Sequence, residues 1–208
     1  MAVMPMFPLG LTLLPGAVLP LQVFEPRYLQ MFREILADDV NEPEFGVALI
    51  TKGRDAGGGD ERAMLATAAR ILDMQATDDG RYVLAAVGTD RLRINAWLPD
   101  DPYPIADVDV WPDDDAAVLG DAVVDRIGAL HERVDALNSI AEELGDDVPP
   151  DTEISDDPIL AGYHLGSLAP LGPADRYALL AAEGLHARLD VLDGALDDLE
   201  AVLEFRRS

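Results

Sequence analysis

A run of three glycines, Gly57–Gly59, could cradle a phosphate group, because successive backbone amides form an anion-binding nest. A phosphate-binding loop also needs Lys followed by Ser or Thr after its last glycine, whereas Asp60 and Glu61 follow here. We therefore interpret residues 51–62 as a loop between strands and predict no phosphate site in it.

Histidine and carboxylate side chains occur at two kinds of spacing that could hold a cation. His131 and Asp135 lie one helical turn apart, but they supply only two ligands. The acidic runs 113–115, 146–147 and 156–157 offer oxygen ligands, yet none has the alternating carboxylates and glycine of a calcium loop. We predict no metal site and interpret the acidic runs as solvated linker charge.

Nucleophilic catalysis needs a hydroxyl, thiol or amine beside a base, and no spacing in the sequence suggests such a pair. Ser167 follows Gly166 but lacks the flanking glycines of a nucleophile elbow. Lys52 is the single lysine and has no serine at a suggestive spacing, and the chain has no cysteine. We predict that the chain has no catalytic residue, binds no cofactor and is not an enzyme.

The charge of the chain restricts its partners. Its 208 residues include 15 Lys and Arg against 40 Asp and Glu, a net charge of -25. Residues 1–98 hold 9 basic and 13 acidic side chains, whereas residues 99–208 hold 6 and 27. Because nucleic-acid affinity comes largely from phosphate neutralisation by basic side chains, we expect neither nucleic acid nor an anionic membrane as a partner. The near-neutral first half is where an apolar client could dock, while the acidic half favours solubility.

The first 21 residues are apolar, but Pro5, Pro8, Pro15 and Pro20 interrupt them and they include no basic n-region. This pattern is typical of neither a signal peptide nor a membrane-spanning helix. We therefore expect a cytoplasmic protein.

The first half of the chain has the patterns of β-strands. We predict strands at residues 18–24, 45–50, 82–87, 91–97 and 105–111. The second and third of these runs are nearly continuously apolar, as in strands buried on both faces. The last two alternate in polarity, so that Arg91 should face the solvent and Ala96 the core.

Helical spacing appears once among the strands and dominates the second half. Pro26 suits the first position of a helix, and Glu25 lies at the N-terminus, where the helix dipole favours a carboxylate. Tyr28 should point into the core. Asp157-Pro158 and Gly172-Pro173 each predict the start of a short helix. Two longer helices carry apolar seams, formed by Val123, Ile127, Leu130, Val134, Leu137, Ala141 and Leu144 and by Leu185, Leu189, Leu192, Leu196, Leu199 and Leu203. We predict a β-rich domain at 1–115 and a helical bundle at 116–208.

The opening of the chain resembles the Lon protease N-terminal domain. The matching positions include proline, glycine and charged residues, and further matches follow in the family's order along nearly the whole chain. They are Met6–Gly10, Leu14–Gly16, Leu19–Tyr28, Phe45–Val47, Gly80–Gly88, Arg91–Arg93, Leu179-Leu180 and Arg188-Leu189.

The resemblance implies an α+β fold, in which a β-rich PUA-like pseudo-barrel with one capping helix is followed by a C-terminal helical bundle. It implies recognition of protein substrates as the function. A complete Lon protease also carries an ATPase module and a Ser-Lys protease module, and neither activity is carried over to this chain.

We therefore predict a non-enzymatic protein that binds unfolded or extended polypeptide at an apolar groove or a sheet edge, or acts as an adaptor for a protease or chaperone. The candidate peptide-binding surface comprises Leu11, Leu14, Phe24, Arg27 and Met31. The alternative is a sensor for a small molecule or metabolite, with a pocket between the barrel and the bundle. Sequence leaves open whether the chain is a monomer or a weak dimer.

Overall fold

A computed structural model of the chain describes residues 2–37, 42–53, 59–113, 120–150 and 152–207. The chain divides into two compact units, an N-terminal unit of Met1–Pro112 and a C-terminal unit of Asp113–Ser208. The boundary expected between residues 115 and 116 lies outside the described residues. The N-terminal unit contains β1 (Ala2–Leu9), β2 (Val18–Val23), α1 (Pro26–Ala37), β3 (Glu44–Lys52), β4 (Glu61–Ala76), β5 (Tyr82–Leu98) and β6 (Ile105–Val110).

The six strands form one sheet in the order β2-β5-β4-β3-β1-β6. β6 also pairs with the second half of β5, so hydrogen bonding runs through five strands and returns to β5. β2 stays outside this circuit and pairs antiparallel with the first half of β5, from Val18 opposite Val87 to Val23 opposite Tyr82. Among the described strands, β2 therefore has one edge without a neighbour.

The predicted strands are all present, but the pattern overlooked β1 and β4. The runs 82–87 and 91–97 belong to one continuous strand, β5. Its first half is not buried on both faces as expected, because Leu84 and Ala86 are buried whereas Val83 is exposed. The sheet thus has core on one side of this region only.

The predicted helix at Pro26 is confirmed, and it covers one side of the sheet. Tyr28, Met31 and Phe32 of α1 are buried in a core that includes Phe7 and Phe45. The ring centres of Phe7 and Tyr28 lie 4.1 Å apart, and those of Phe32 and Phe45 lie 5.1 Å apart. Aromatic rings bury large apolar areas, so this cluster fixes α1 on the sheet.

The alternation of polarity predicts the wrong side for Arg91 and for Ala96. Arg91 is buried, with its guanidinium 4.0 Å from the centre of the Trp111 ring, and the Trp111 backbone amide donates to the Arg91 carbonyl. Ala96 is exposed because the β5–β6 register shifts between Ile94 and Ala96. A bulge of this kind reverses the faces of the residues that follow it.

The C-terminal unit contains the predicted helices, which are α2 (Asp121–Glu143), α3 (Pro158–Leu168), α4 (Pro173–Ala181) and α5 (Gly184–Arg207). α3 and α4 begin at the expected prolines, and Asp157 caps α3 by accepting a hydrogen bond from the Ile159 amide. All of the seam residues are buried except Leu144 and Leu199, which are half-buried. Within this unit α5 packs against α2, α3 and α4.

One buried ion pair joins the first residue of the C-terminal unit to α5. Arg188 has no exposed surface, and it donates to the Asp113 carboxylate at 2.7 Å and to the Leu179 carbonyl at 3.3 Å. Its guanidinium lies 3.6 Å from the centre of the Tyr163 ring, and the Tyr163 hydroxyl donates to Asp113 at 2.7 Å. Asp113 was expected to be solvated linker charge, but the buried guanidinium requires a carboxylate beside it.

Candidate functional site

The strands β2 and β5 expose apolar side chains on the side of the sheet away from α1. Leu19 and Val23 of β2 and Leu84 and Ala86 of β5 point into the core, so the intervening residues point outward. Directly paired residues share a face, and the outward pairs are Val18 with Val87, Pro20 with Ala85 and Gln22 with Val83.

A third strand extends this surface. The β4–β5 register shifts between Ile71 and Asp73, so Leu72 is an extra residue at a bulge and its side chain is exposed. Val18, Leu72 and Val83 have exposed fractions of 63%, 59% and 45%. We call the surface formed by Val18, Pro20, Leu72, Val83 and Ala85 the outer apolar face.

A tight turn fixes the position of β2 against β5. Gly88 approaches the chain so closely that a Cβ atom there would lie 2.5 Å from the Leu14 carbonyl oxygen. The amide of Gly16 donates to the Gly88 carbonyl, and the hydroxyl of Thr67 donates to the Leu13 carbonyl at 2.6 Å. Gly16 has a φ of 81°, which favours glycine. The outer apolar face therefore depends on residues at this crossing.

The free edge of β2 is a poor place for strand addition. The amide of Gly88 donates to the Ala17 carbonyl, and antiparallel alternation then directs the amides of Leu19 and Leu21 toward β5. The backbone groups of Pro20 are directed toward the free edge instead. A peptide added at this edge would need an amide donor there, and proline has no amide hydrogen. Of the two surfaces predicted, a groove or a sheet edge, the exposed side chains of the face are the better candidate.

The five residues of the predicted peptide-binding surface do not form one surface. Leu14 and Met31 have exposed fractions of 1% and 0%, so they are core residues and the expectation for them is corrected. Leu11 and Arg27 are half-buried, and Phe24, immediately after β2, is 57% exposed. Apolar type alone selected Leu14 and Met31, but the turn and α1 direct them inward.

Arg27 belongs to a network of charged and aromatic residues and is not a free cation. Its Nε atom lies 3.2 Å from the Glu25 carboxylate, and its guanidinium lies 4.5 Å from the centre of the Tyr28 ring. Burial raises the pKa of Tyr28 to about 12. The sequence interpretation of Glu25–Tyr28 as a strand-to-helix junction is confirmed for Pro26 and Tyr28, which begin α1 and enter the core.

A second charged group, Asp60, Arg62 and Asp100, lies beside Trp97. Arg62 donates to Asp60 and to Asp100, the latter at 2.7 Å, and its guanidinium lies 4.8 Å from the centre of the Trp97 ring. Burial is the largest single influence on Asp60 and opposes its ionisation, but the hydrogen bonds and positive charge of Arg62, together with a backbone hydrogen bond and the charge of Arg27, lower the pKa of this carboxyl. Arg62 contacts both carboxylates, so we interpret the group as structural.

The β4–β5 hairpin lies at one end of the outer apolar face. Its residues, together with Gln22, Tyr82 and Val83, line a depression of about 360 Å³. The Thr77 hydroxyl donates to the Asp79 carboxylate and thereby lowers the pKa of that carboxyl. The hairpin adds polar groups and negative charge to the end of an apolar surface.

The residues considered for catalysis or metal binding do not assemble into a site. The glycine run lies outside the described residues except for Gly59. His131 Nε2 lies 3.7 Å from Asp135, and within the described ranges no three His, Cys, Asp or Glu side chains form a group that could hold a metal. The Ser167 hydroxyl donates to the Tyr163 carbonyl, and Lys52 pairs with Glu61 at 3.1 Å.

Comparison with known proteins decides the family. Residues 3–197 match the family model described as the ATP-dependent protease La (LON) substrate-binding domain. The chain belongs to the LON substrate-binding domain family. The family resemblance drawn from the opening residues is thereby confirmed, and membership supports a role in recognising protein substrates.

Two solved structures have the same fold as this LON substrate-binding domain. The Lon N-terminal domain protein from Xanthomonas campestris is 29% identical with a TM-score of 0.67, and the match covers 93% of this chain and 98% of that one. The N-terminal domain of the Mycobacterium avium complex Lon protease is 17% identical with a TM-score of 0.64, covering 95% and 99%. These matches confirm the α+β class of the fold.

The LON substrate-binding domain family gives no position for the binding surface in this chain. Sequence reasoning missed Val18, Pro20, Leu72 and Val83, although the alternation of β2 was a usable signal.

None of the described helices is long and apolar enough to cross a membrane.

Proposed function

We propose that the outer apolar face binds unfolded or extended polypeptide and that the chain acts by binding its clients without a catalytic step. The observation that carries this proposal is the exposure of Val18, Leu72 and Val83 on three adjacent strands. Contiguous exposed apolar surface is uncommon on monomeric proteins and is typical of protein-interaction sites. The protein-substrate role of the family supplies the class of partner.

The geometry of the face suits an extended client. Val83, Ala85 and Val87 point outward along β5 at every second residue, so neighbouring side chains are about 7 Å apart. Alternate side chains of an extended peptide repeat at the same distance. A client could thus place successive apolar side chains on the face without a fixed sequence, which suits recognition of many substrates.

We further propose a PUA-like pseudo-barrel for the N-terminal unit and a helical bundle for the C-terminal unit. The closed circuit of strand pairing supports the first, and the packing of α5 against three helices supports the second. An adaptor role for a protease or chaperone is part of this proposal. The metabolite-sensor alternative and the absence of nucleic-acid binding stay predictions.

The test is the affinity of the full chain for a permanently unfolded, carboxymethylated model protein, measured by fluorescence anisotropy. The variant Val18→Ser/Val83→Ser removes apolar area from both ends of the face, and we expect it to weaken binding by about tenfold. The matched control is Val202→Ser/Phe205→Ser, which removes two exposed apolar side chains from α5. We expect that control to retain the affinity of the unsubstituted chain.

Two results would contradict the proposal. One is the absence of binding at high micromolar concentration of the unsubstituted chain. The other is an equal loss of affinity in both double variants, since the effect would then follow general surface hydrophobicity. Urea unfolding of each variant checks that the fold is retained.

A further inference from the structure

The hairpin end of the outer apolar face carries exposed carboxylates. Asp73 lies opposite Ala85 on the outward side of β4, and Asp78 and Asp79 lie in the turn that follows. The Asp73 carboxylate accepts a hydrogen bond from Gln75 at 3.1 Å. Asp78 is exposed and has no partner among the described residues. We call Asp73, Asp78 and Asp79 the acidic rim.

The nearby arginines neutralise only one member of the acidic rim. Arg81 pairs with Asp79 at 3.0 Å. Arg70, beside the other end of the face, pairs with Glu42 at 2.7 Å and with Glu44 at 3.1 Å. Both arginines are therefore paired with carboxylates other than Asp73 and Asp78, so the charges of Asp73 and Asp78 are not balanced by them.

One further cation lies near the hairpin end, on the other side of the sheet. Arg33 of α1 donates to the Tyr82 hydroxyl at 3.3 Å, and Tyr82 packs against the core. Even with its charge included, the balance around the face remains negative. The net charge of the whole chain, -25, has the same sign.

The acidic rim and the apolar face form a continuous surface. Gln22 and Val83 face outward as a pair on β2 and β5, and both also line the depression at the hairpin, together with Asp78 and Asp79. A segment lying along β5 would therefore pass from apolar side chains to carboxylates within a few residues. An apolar surface alone does not specify an occupant, but this combination does.

We propose that the clients of this face are extended segments in which apolar residues adjoin Lys or Arg at one end. The inference rests on the proposed function and adds the chemical class of the substrate. A basic side chain beside Val83 would meet Asp78, and one beside Ala85 would meet Asp73. An acidic side chain at either place would be repelled, and charge complementarity selects partners mainly by excluding those of like sign.

The experiment uses the full chain and two fluorescent peptides with the same alternating apolar residues, one ending in lysines and the other in glutamates. We expect the lysine peptide to bind at least about fivefold more tightly at low salt, since two exposed ion pairs contribute roughly a few-fold each. The difference should shrink at high salt, because exposed charges are screened.

The variant Asp73→Asn/Asp78→Asn should weaken binding of the lysine peptide by about two- to fivefold and leave the glutamate peptide no weaker. The control Asp90→Asn removes an exposed carboxylate on β5 that lies seven residues, or about 23 Å, from Val83. We expect that control to leave the preference between the peptides intact.

The outcomes separate the two proposals. If neither peptide binds, the proposed function fails. If both bind equally, or if Asp90→Asn reduces the preference as much as the rim variant, the face binds clients but the acidic rim does not select them. The rim proposal stands only if the preference exists and is lost in the rim variant.

Discussion

The N-terminal and C-terminal units both space their apolar residues regularly, but they treat the resulting surfaces differently. In the C-terminal unit the seams of α2 and α5 are buried, and arginines bridge acidic side chains on the outside of these helices. In the N-terminal unit β2 and β5 bury one side and leave Val18 and Val83 exposed on the other. The helices bury their seams against one another, whereas the sheet leaves apolar side chains exposed on one side.

The difference between helices and sheet accounts for the uneven distribution of charge along the chain. A helix with a buried seam has most of its remaining positions in water, and acidic residues can occupy them at little cost. A sheet that buries one side leaves its whole other side in water, and on β2 and β5 that side carries Val18 and Val83. Among the described residues of the C-terminal unit, Val124 of α2 and Val202 and Phe205 of α5 are also exposed. Val202 and Phe205 lie together near the end of α5, so they serve as the control in binding experiments.

The largest expected effect comes from breaking the buried ion pair of the C-terminal unit. Asp113→Leu would leave Arg188 buried without a counter-charge and should lower the free energy of unfolding of this unit by about 3–5 kcal/mol. Urea unfolding followed by circular dichroism measures the change. The double variant Asp113→Leu/Arg188→Met should recover most of the loss. If the single variant were as stable as the unsubstituted chain, the pair would not hold the unit together.

Gly88→Ala tests the crossing that positions the outer apolar face. Its Cβ would meet the Leu14 carbonyl, so we expect a loss of about 1–3 kcal/mol in the free energy of unfolding and weaker client binding. The matched control is Gly128→Ala in α2, where a Cβ meets no atom within 4 Å. Alanine there should stabilise the helix by about 0.5–1 kcal/mol. Equal effects at both positions would contradict the close approach at Gly88.

Arg133→Gln tests the charge network on the outside of the helices. Arg133 contacts Asp193 at 2.8 Å, Asp197 at 2.5 Å and Glu200 at 2.8 Å, and these carboxylates repel one another on one face of α5. The substitution should lower the free energy of unfolding by about 1 kcal/mol or less, with a smaller effect at high salt. Arg207→Gln, which removes one contact with Glu143 at 3.3 Å, should have a weaker effect. A salt-independent loss would indicate packing and not charge as its origin.

The smallest expected effect is a pH dependence from His164. Burial lowers the pKa of His164, and its Nδ1 accepts a hydrogen bond from the Ser155 amide at 3.1 Å, which requires the neutral ring. The unfolded chain therefore binds a proton more readily, and this contribution to stability is complete above about pH 6.5 and declines as the pH falls below that value.

His164→Gln should remove this part of the pH dependence, measured as the difference in urea midpoint between neutral and mildly acidic pH. The matched control, His186→Gln, changes an exposed histidine of α5 and should retain it. A pH dependence that is the same in His164→Gln and in the unsubstituted chain would show that carboxylates, and not His164, cause it.

Local sequence signals predicted the elements where side-chain period and terminal residues agreed. Pro26, Pro158 and Pro173 marked helix starts correctly, because proline suits the first helical turn and disrupts later ones. The strand β4 was overlooked because residues 61–76 mix alanine with charged residues and show no clear alternation. Its strand conformation depends on pairing with β3 and β5. The local pattern of residues in β4 carries no information about these partners.

The candidate site was less predictable than the fold. Leu14 and Phe24 are both apolar residues near β2, yet one has an exposed fraction of 1% and the other of 57%. Leu72 faces outward because of a bulge, and Arg91 is buried because Trp111 covers it. Each outcome depends on register and on which residue lies opposite, and both are set by long-range pairing.

The sequence by itself determined the family, the class of elements and the uneven distribution of charge, since these depend on composition, period and the residues at turns. Only the tertiary structure decided which apolar residues remain exposed, that Asp113 pairs with the buried Arg188, and that Asp73 and Asp78 border an apolar face. The physical reason is that burial and electrostatic balance are properties of neighbours in space. A residue type has a preference for burial, but strand register and packing decide whether that preference is met.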